Sequence, residues 1–266
     1  MKYNKADGKN HMDIARHHKR FFLSVLTLWF LWVCSPVSVH AQSLEKLDYL
    51  TEEYYPYSYT EYGTTKGIGV DLLHMTWKEL GIQPLSIQFL PWARAYDHIQ
   101  NEPSTVLFSM ARTTERKNLF KWAGPITTVR FVLIAKKEKH IMLSCLDDLA
   151  GYRVGTIRKD ISDIILDDYR EIAQIEAVAN MEQNINKLIN NRLDMIAYEE
   201  QSWRRIAARF NLPADEYETV FTLQETPIYY AFHRDTRDDL VQRFQNALDR
   251  VKTSPAFQKV LDNYLK

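Results

Sequence analysis

The stretch Val106-Leu107-Phe108-Ser109-Met110-Ala111-Arg112-Thr113-Thr114-Glu115-Arg116-Lys117 sets a short apolar segment directly before a candidate helix start. Residues 106–108 read as a buried strand, and Thr113 or Thr114 is suited to cap a helix that follows. The start of a helix carries unpaired N–H groups and a partial positive charge, so acidic residues are favoured there. Glu115 follows that rule, whereas Arg112, Arg116 and Lys117 oppose it. Cations gathered around a helix start make a place to hold an external anion such as a carboxylate. The same residues also suit a solvated turn in which Glu115 offsets the basic charge.

Outward from this stretch the chain repeats the strand-then-helix pattern in both directions. Residues 47–51 read as a first strand that runs into the aromatic loop Tyr54-Tyr55-Pro56-Tyr57. Asp71 is the expected cap of a helix whose face carries Leu73, Trp77 and Leu80 and which stops at Gly81. A strand at 87–90 precedes a helix opened by Pro91-Trp92-Ala93-Arg94, proline being suited to a first turn. Beyond residue 126, a β-prone run at 129–135 leads into a new helix–strand unit at 146–155. Helices follow at about 161–169 and 181–190, and a strand at 193–198 has Glu199-Glu200 at its carboxyl end. Neighbours on an extended segment point to opposite sides, so one of these two glutamates faces inward. A second β-prone run at 228–233 precedes two closing helices, about 237–252 and 255–265. This alternation predicts an α/β fold with mostly parallel sheets.

The two β-prone runs each separate one α/β block from another, so the chain is expected to cross between two lobes and return. Lobe 1 comprises 42–128 and 229–266, lobe 2 comprises 129–228, and the crossings lie near 127–131 and 225–229. Ligands of such sheets bind at the carboxyl ends of strands. Tyr54, Trp92, Ser109, Arg116, Asp160 and Glu199 all fall at such ends.

Residues 1–41 have the layout of a secretory signal peptide. A basic lead (Arg16, Lys19, Arg20) precedes an apolar run over 21–33, then Pro36 and a Val39-His40-Ala41 cleavage site. Cys34 raises a lipoprotein signal as an alternative, which bulky Val33 opposes, and Met12 is an alternative start to Met1. The lead holds six of the 34 Lys/Arg and two of the 34 Asp/Glu, so 225 residues with 28 basic and 32 acidic side chains remain. A net charge of −4 gives no support to nucleic-acid or anionic-membrane binding. Only Cys145 survives cleavage, so no internal disulfide is expected and the fold rests on its hydrophobic core.

Gly67-Ile68-Gly69-Val70-Asp71-Leu72 fails as a dinucleotide-binding motif, because Leu72 stands where a third glycine is needed. His74, His98, His140 and His233 lack metal-ligand spacing, and no G-x-S-x-G nucleophile motif occurs. No metal site, cofactor or catalytic residue is therefore expected.

Taken together, these segments resemble the bacterial extracellular solute-binding protein family 3, the amino-acid-binding type. The resemblance is carried by Tyr54-Tyr55-Pro56-Tyr57, Gly67–Leu72, Ser109 through Thr113-Thr114-Glu115-Arg116 to Gly124-Pro125, residues 148–155, and Asn191-Arg192-Leu193-Asp194-Met195-Ile196-Ala197-Tyr198-Glu199. It implies a type II periplasmic binding protein-like fold, two α/β lobes joined by two crossover segments. It further implies that Ser109 and Arg116 hold a ligand's α-carboxylate, Glu199 its α-ammonium, and Tyr54 with Trp92 its apolar portion. Two departures stand out. Ala111 occupies a position where the family commonly has a hydroxyl, and Lys159-Asp160-Ile161, preceded by Arg158, replaces a Gly-Thr/Ser-Thr loop. Arg94, Arg112 and Arg158 are accordingly candidates for recognising a second acidic group.

The expectation is a monomeric periplasmic protein that captures a small zwitterionic or anionic solute, an amino acid or derivative, for an inner-membrane ABC permease. The alternatives are an enzyme on the same fold, similar to cyclohexadienyl dehydratase and acting on a small carboxylate, and a periplasmic ligand sensor.

Overall fold

The computed structural model describes residues 42–265; the expected signal peptide lies outside them. β1 (Asp48–Thr51) is followed by a hairpin of β2 (Tyr59–Glu61) and β3 (Thr64–Lys66), then by α1 (Ile68–Glu79). β4 (Ile87–Phe89), α2 (Trp92–Asn101) and β5 (Thr105–Ala111) lead to the long β6 (Phe120–Lys136). The next units are β7 (Arg153–Ile157), α3 (Ile161–Ile165), β8 (Gln174–Val178), α4 (Met181–Ile189), β9 (Met195–Glu199) and α5 (Glu200–Arg209). A second long strand, β10 (Tyr217–His233), precedes α6 (Asp238–Lys252) and α7 (Pro255–Leu265).

All strands but the hairpin join one eight-stranded sheet in the order β4-β1-β5-β10-β6-β9-β7-β8. Each flank is parallel: β4, β1 and β5 on one side, β9, β7 and β8 on the other. The centre is antiparallel, because β10 runs against both β5 and β6, and β6 against β9. Four of the seven pairings in this sheet are parallel, as expected, and the antiparallel centre is the addition. The reason lies in β6 and β10, which are 17 residues each and long enough to serve both flanks. Their register sets Arg130 beside Glu225, Val129 beside Thr226 and Thr127 beside Ile228. The two expected crossings are thus partners in one antiparallel ribbon.

The closing helices show why the apolar pattern was legible. α6 buries Leu240, Val241, Phe244, Ala247, Leu248 and Val251, a stripe of helical period that packs with Trp77, Tyr230 and Phe232. Asp238 and Asp239 in its first turn and Arg250 and Lys252 in its last complement the helix dipole. Each fully buried large apolar side chain of this kind contributes about 1.5–3 kcal/mol. A separate cluster of Leu133, Leu149, Val154, Leu166 and Met195 stabilises the β7–β9 flank.

Two local expectations are corrected. Asp71 does not cap α1, which starts three residues earlier with Gly67 as its N-cap; the Asp71 carboxylate instead accepts a hydrogen bond from Tyr264 Oη (2.8 Å). Gly67 sits at φ 124°, and a Cβ there would lie 2.5 Å from the Tyr57 carbonyl oxygen, so no other residue fits. Nor does a helix follow Thr113. Residues 114–119 form turns, with Arg116 N donating to Thr113 Oγ1 (3.3 Å) and Lys117 N to Thr113 O (2.9 Å). A single turn lacks the dipole of a helix, so the anion-holding argument passes to the side chains themselves. Among the described residues no helix is long and apolar enough to cross a membrane.

Candidate functional site

The turn after β5 points Arg116 inward. Its side chain is 1% exposed, with the guanidinium carbon 5.0 Å from the Trp92 ring centroid and 5.1 Å from that of Tyr96. Trp92 and Tyr96 are one turn apart at the start of α2 and stack at 5.6 Å, making an aromatic wall for the cation. Arg116 Nη2 donates to the Lys159 carbonyl oxygen (2.8 Å), as does Trp92 Nε1 (2.8 Å). Lys159 is held at φ 63°, its N–H donating to Asp163 Oδ2 (2.9 Å) and its ammonium paired with Asp97 (2.6 Å). The loop after β7 is thereby fixed against α2 and the β5 turn.

Among the described residues, Arg116 Nε, Tyr54 Oη and, near the end of β5, Ser109 Oγ are buried without a hydrogen-bond partner. An unmet buried polar group costs about 1–3 kcal/mol. Ser109 adopts φ 61° two residues before the end of β5, a conformation a serine takes only under tertiary constraint. All three groups can donate, and Ser109 Oγ lies against Gly69 in the first turn of α1.

Glu199 is also 1% exposed and ends β9. One oxygen accepts from Tyr57 Oη (3.0 Å) and the other from the N–H of Ser202 (2.8 Å), where Glu199 caps α5. Ser202 Oγ donates to the Tyr55 carbonyl, a second tie between the flanks. Burial raises the Glu199 pKa, opposed by the hydrogen bonds from Ser202 and Tyr57. A carboxylate has about four acceptor positions, so capacity for a further donor remains. Its neighbour Glu200 pairs with Arg130 on the other side.

Asp160 caps the short α3. Burial pushes its carboxyl up to about 6, against the pull of the Ile161 N–H and of Arg116. Glu52, one residue beyond β1, is raised well above the ordinary carboxylate range by burial and by Asp160, while Arg116 lowers it. No hydrogen bond or ion pair reaches the Glu52 carboxylate among the described residues. Burial also raises Tyr54 and Tyr198, reinforced by Glu199 for Tyr54 and by Glu52 for Tyr198. Glu52 and Asp160 therefore share the field of the Arg116 guanidinium, and Glu199 joins them through Tyr54 and Tyr198.

Of the residues expected from sequence, Tyr54, Trp92, Arg116, Asp160 and Glu199 come together here through stacking, shared partners or charge. Ser109 is buried near the end of β5 with its Oγ against Gly69 of α1 and shares none of those contacts among the described residues. Arg112 does not join them: it is exposed, with its guanidinium 5.9 Å from both the Trp122 and Tyr229 rings. Arg94 and Arg158 are exposed as well. Glu52, Tyr57, Tyr96 and Tyr198 were missed. Glu52 stands at a strand's carboxyl end like the others, and that position was the signal available.

A cavity of about 750 Å³ opens beside the cluster, at the carboxyl ends of β1, β4, β7, β8 and β9. Glu52, Trp92 and Tyr198 border both, whereas Tyr54, Ser109, Arg116 and Glu199 lie behind them and do not line it.

The family model of the bacterial extracellular solute-binding proteins, family 3, matches residues 49–266. The chain belongs to that family. No curated protein matches it. Among solved structures, this family-3 chain is similar to a histidine kinase sensor domain with similarity to periplasmic binding proteins. The TM-score is 0.74 at 16% identity, over 83% of this chain and 96% of that one. It is also similar to a Streptococcus pneumoniae ABC uptake transporter substrate-binding protein with bound histidine (TM-score 0.72, 15% identity, 82% and 91% covered). A Salmonella typhimurium periplasmic binding protein of high arginine specificity gives a TM-score of 0.69 at 18% identity, with 83% and 99% covered. At these identities the likeness shows the fold, which is that of type II periplasmic binding proteins.

Proposed function

We propose that this family-3 protein binds an α-amino acid in the periplasm, with preference for one carrying a cationic side chain, and delivers it to an inner-membrane ABC permease. Arg116 and Ser109 take the α-carboxylate, Glu199 and Asp160 the α-ammonium, and Tyr54 and Trp92 the carbon skeleton. The observation that carries this reading is the excess of carboxylates in this region, buried Glu199 and half-buried Glu52 and Asp160 against the one guanidinium of Arg116. With all three ionised, a ligand bringing one anionic and two cationic groups reduces the excess from two negative charges to one, while a di-acid would increase it. The exposed positions of Arg94, Arg112 and Arg158 remove the side chains that favoured a second acidic group. Neighbours of the fold described as arginine-specific or histidine-bound fit the same chemistry.

Thermal-shift screening of mature protein against amino acids, small di-acids and polyamines tests the reading. Basic amino acids are expected to raise the melting temperature most, and stabilisation by di-acids alone would overturn it.

Lobes of 42–128 with 229–266, and of 129–228, are proposed to close on the ligand by bending of the β6–β10 ribbon near 127–131 and 225–229. Small-angle scattering should show a smaller radius of gyration at saturating ligand; an unchanged radius counts against closure. The second reading is a sensor, favoured by the likeness to a histidine kinase sensor domain. Loss of labelled ligand uptake on deletion of the gene supports the importer, and unimpaired uptake the sensor.

A further inference from the structure

We infer that the ligand is a basic amino acid whose side-chain nitrogen carries an additional apolar substituent, seated in the 750 Å³ cavity beyond Glu52. This inference rests on the amino-acid reading above. Glu52 carries it, because its carboxylate belongs to two places at once. It interacts electrostatically with Arg116 and Asp160 in the enclosed cluster, and it lines the cavity. A side-chain cation held at Glu52 therefore stands at the boundary, and any group attached to that nitrogen extends into the cavity.

The size of the space points the same way. Pockets of about 300–1,000 Å³ are those that bury drug-sized ligands, and this cavity falls within that range. Part of its wall suits an apolar occupant. Tyr55 and Tyr59 meet at a 56° tilt with ring centroids 4.9 Å apart, and Phe89, Met181 and Ile206 add further apolar surface, beside Glu53, Glu61 and Glu182. Both arginines that line it are already engaged, Arg205 with Glu61 (2.7 Å) and Arg209 with Glu182 (3.2 Å). No cation is thus left over in the lining for an acidic tail. The substituent must leave the nitrogen basic, since an amide there would face Glu52 without charge.

Calorimetry with L-lysine, Nε-benzyl-L-lysine and Nε-acetyl-L-lysine tests the inference on the mature protein. The benzyl derivative is expected to bind at least tenfold tighter than lysine, and the acetyl derivative more weakly than lysine. Ile206→Trp, which narrows the cavity, should cut the benzyl-to-lysine affinity ratio at least fivefold. Lysine binding as tightly as its benzyl derivative, or a ratio unmoved by Ile206→Trp, overturns the inference and leaves the amino-acid reading standing. The same holds if the protein takes only some other amino acid in an Arg116-dependent way. Failure of every amino acid to bind removes the reading itself.

Discussion

The two flanks of the sheet bring different chemistry to the site. The β4-β1-β5 flank contributes the guanidinium of Arg116 and three donors without partners, on Arg116, Ser109 and Tyr54. The β9-β7-β8 flank contributes Glu199 and Asp160, and its carboxylates already accept bonds from protein N–H and hydroxyl groups. One side has unmet donors and the other has partly engaged acceptors. A ligand therefore gains most on the first flank, where nothing has to be given up, and less on the second, where it shares. On the proposed reading, affinity and orientation divide between the flanks in that proportion, and variants of each side can break or sharpen the contrast.

The largest loss is expected from Arg116→Ala. Leaving a ligand carboxylate without its buried partner costs about 2–5 kcal/mol of binding free energy. Calorimetry with the amino acid that binds the wild type reads this directly, with circular dichroism reporting whether the fold is retained. An unchanged affinity in a folded variant would remove the first flank from the comparison.

Asp160 is tested through pH. Its folded pKa of about 6 lies above the ordinary 3.8, so the folded protein holds more protons than the unfolded chain between those values. Stability from this group is full below about 4 and is lost as pH rises through about 6, by up to about 3 kcal/mol. The melting temperature of wild type relative to Asp160→Asn should fall across that window in the absence of ligand. A flat difference from pH 4 to 7 would mean that the carboxyl is solvated.

Glu199→Gln should weaken an amine-bearing ligand by about 2 kcal/mol, less than Arg116→Ala because Tyr57 and Ser202 already share this carboxylate. Tighter binding by the variant would point to an anionic ligand and reverse the assignment of the flanks. Arg112→Ala should change affinity by no more than about 0.5 kcal/mol, as is usual for an exposed side chain away from a site. A large effect would extend the site to the outer face where Trp122 and Tyr229 lie.

Legibility in the sequence followed the strength of the local pattern. α6 was readable because its apolar residues keep a clear helical period, and β1 because it is a short apolar run. α5 was not: only Ser202, Trp203 and Ala207 of its ten residues are buried, and its opening Glu200 reads as a strand-end charge. β8 and the leading halves of β6 and β10 carry mixed burial patterns that resemble loops until the neighbouring strand is present. Within the site, Ser109 and Arg116 were readable as a strand end followed by a cation. Glu52 was not, because Glu53 beside it makes the pair look like a solvated turn.

The sequence alone determined the alternation of strands and helices and the family. These follow from local periodicity and from motifs whose spacing is set along the chain. Tertiary structure alone decided which cations are inside. Arg112 and Arg116 flank a single turn and carry the same charge, yet one lies exposed by Trp122 and the other is enclosed by Trp92 and Tyr96. It likewise decided that Glu52 and Asp160, 108 positions apart, share one environment and resist ionisation together. Burial and the charge of neighbours are properties of the packed chain, and no window of sequence contains them.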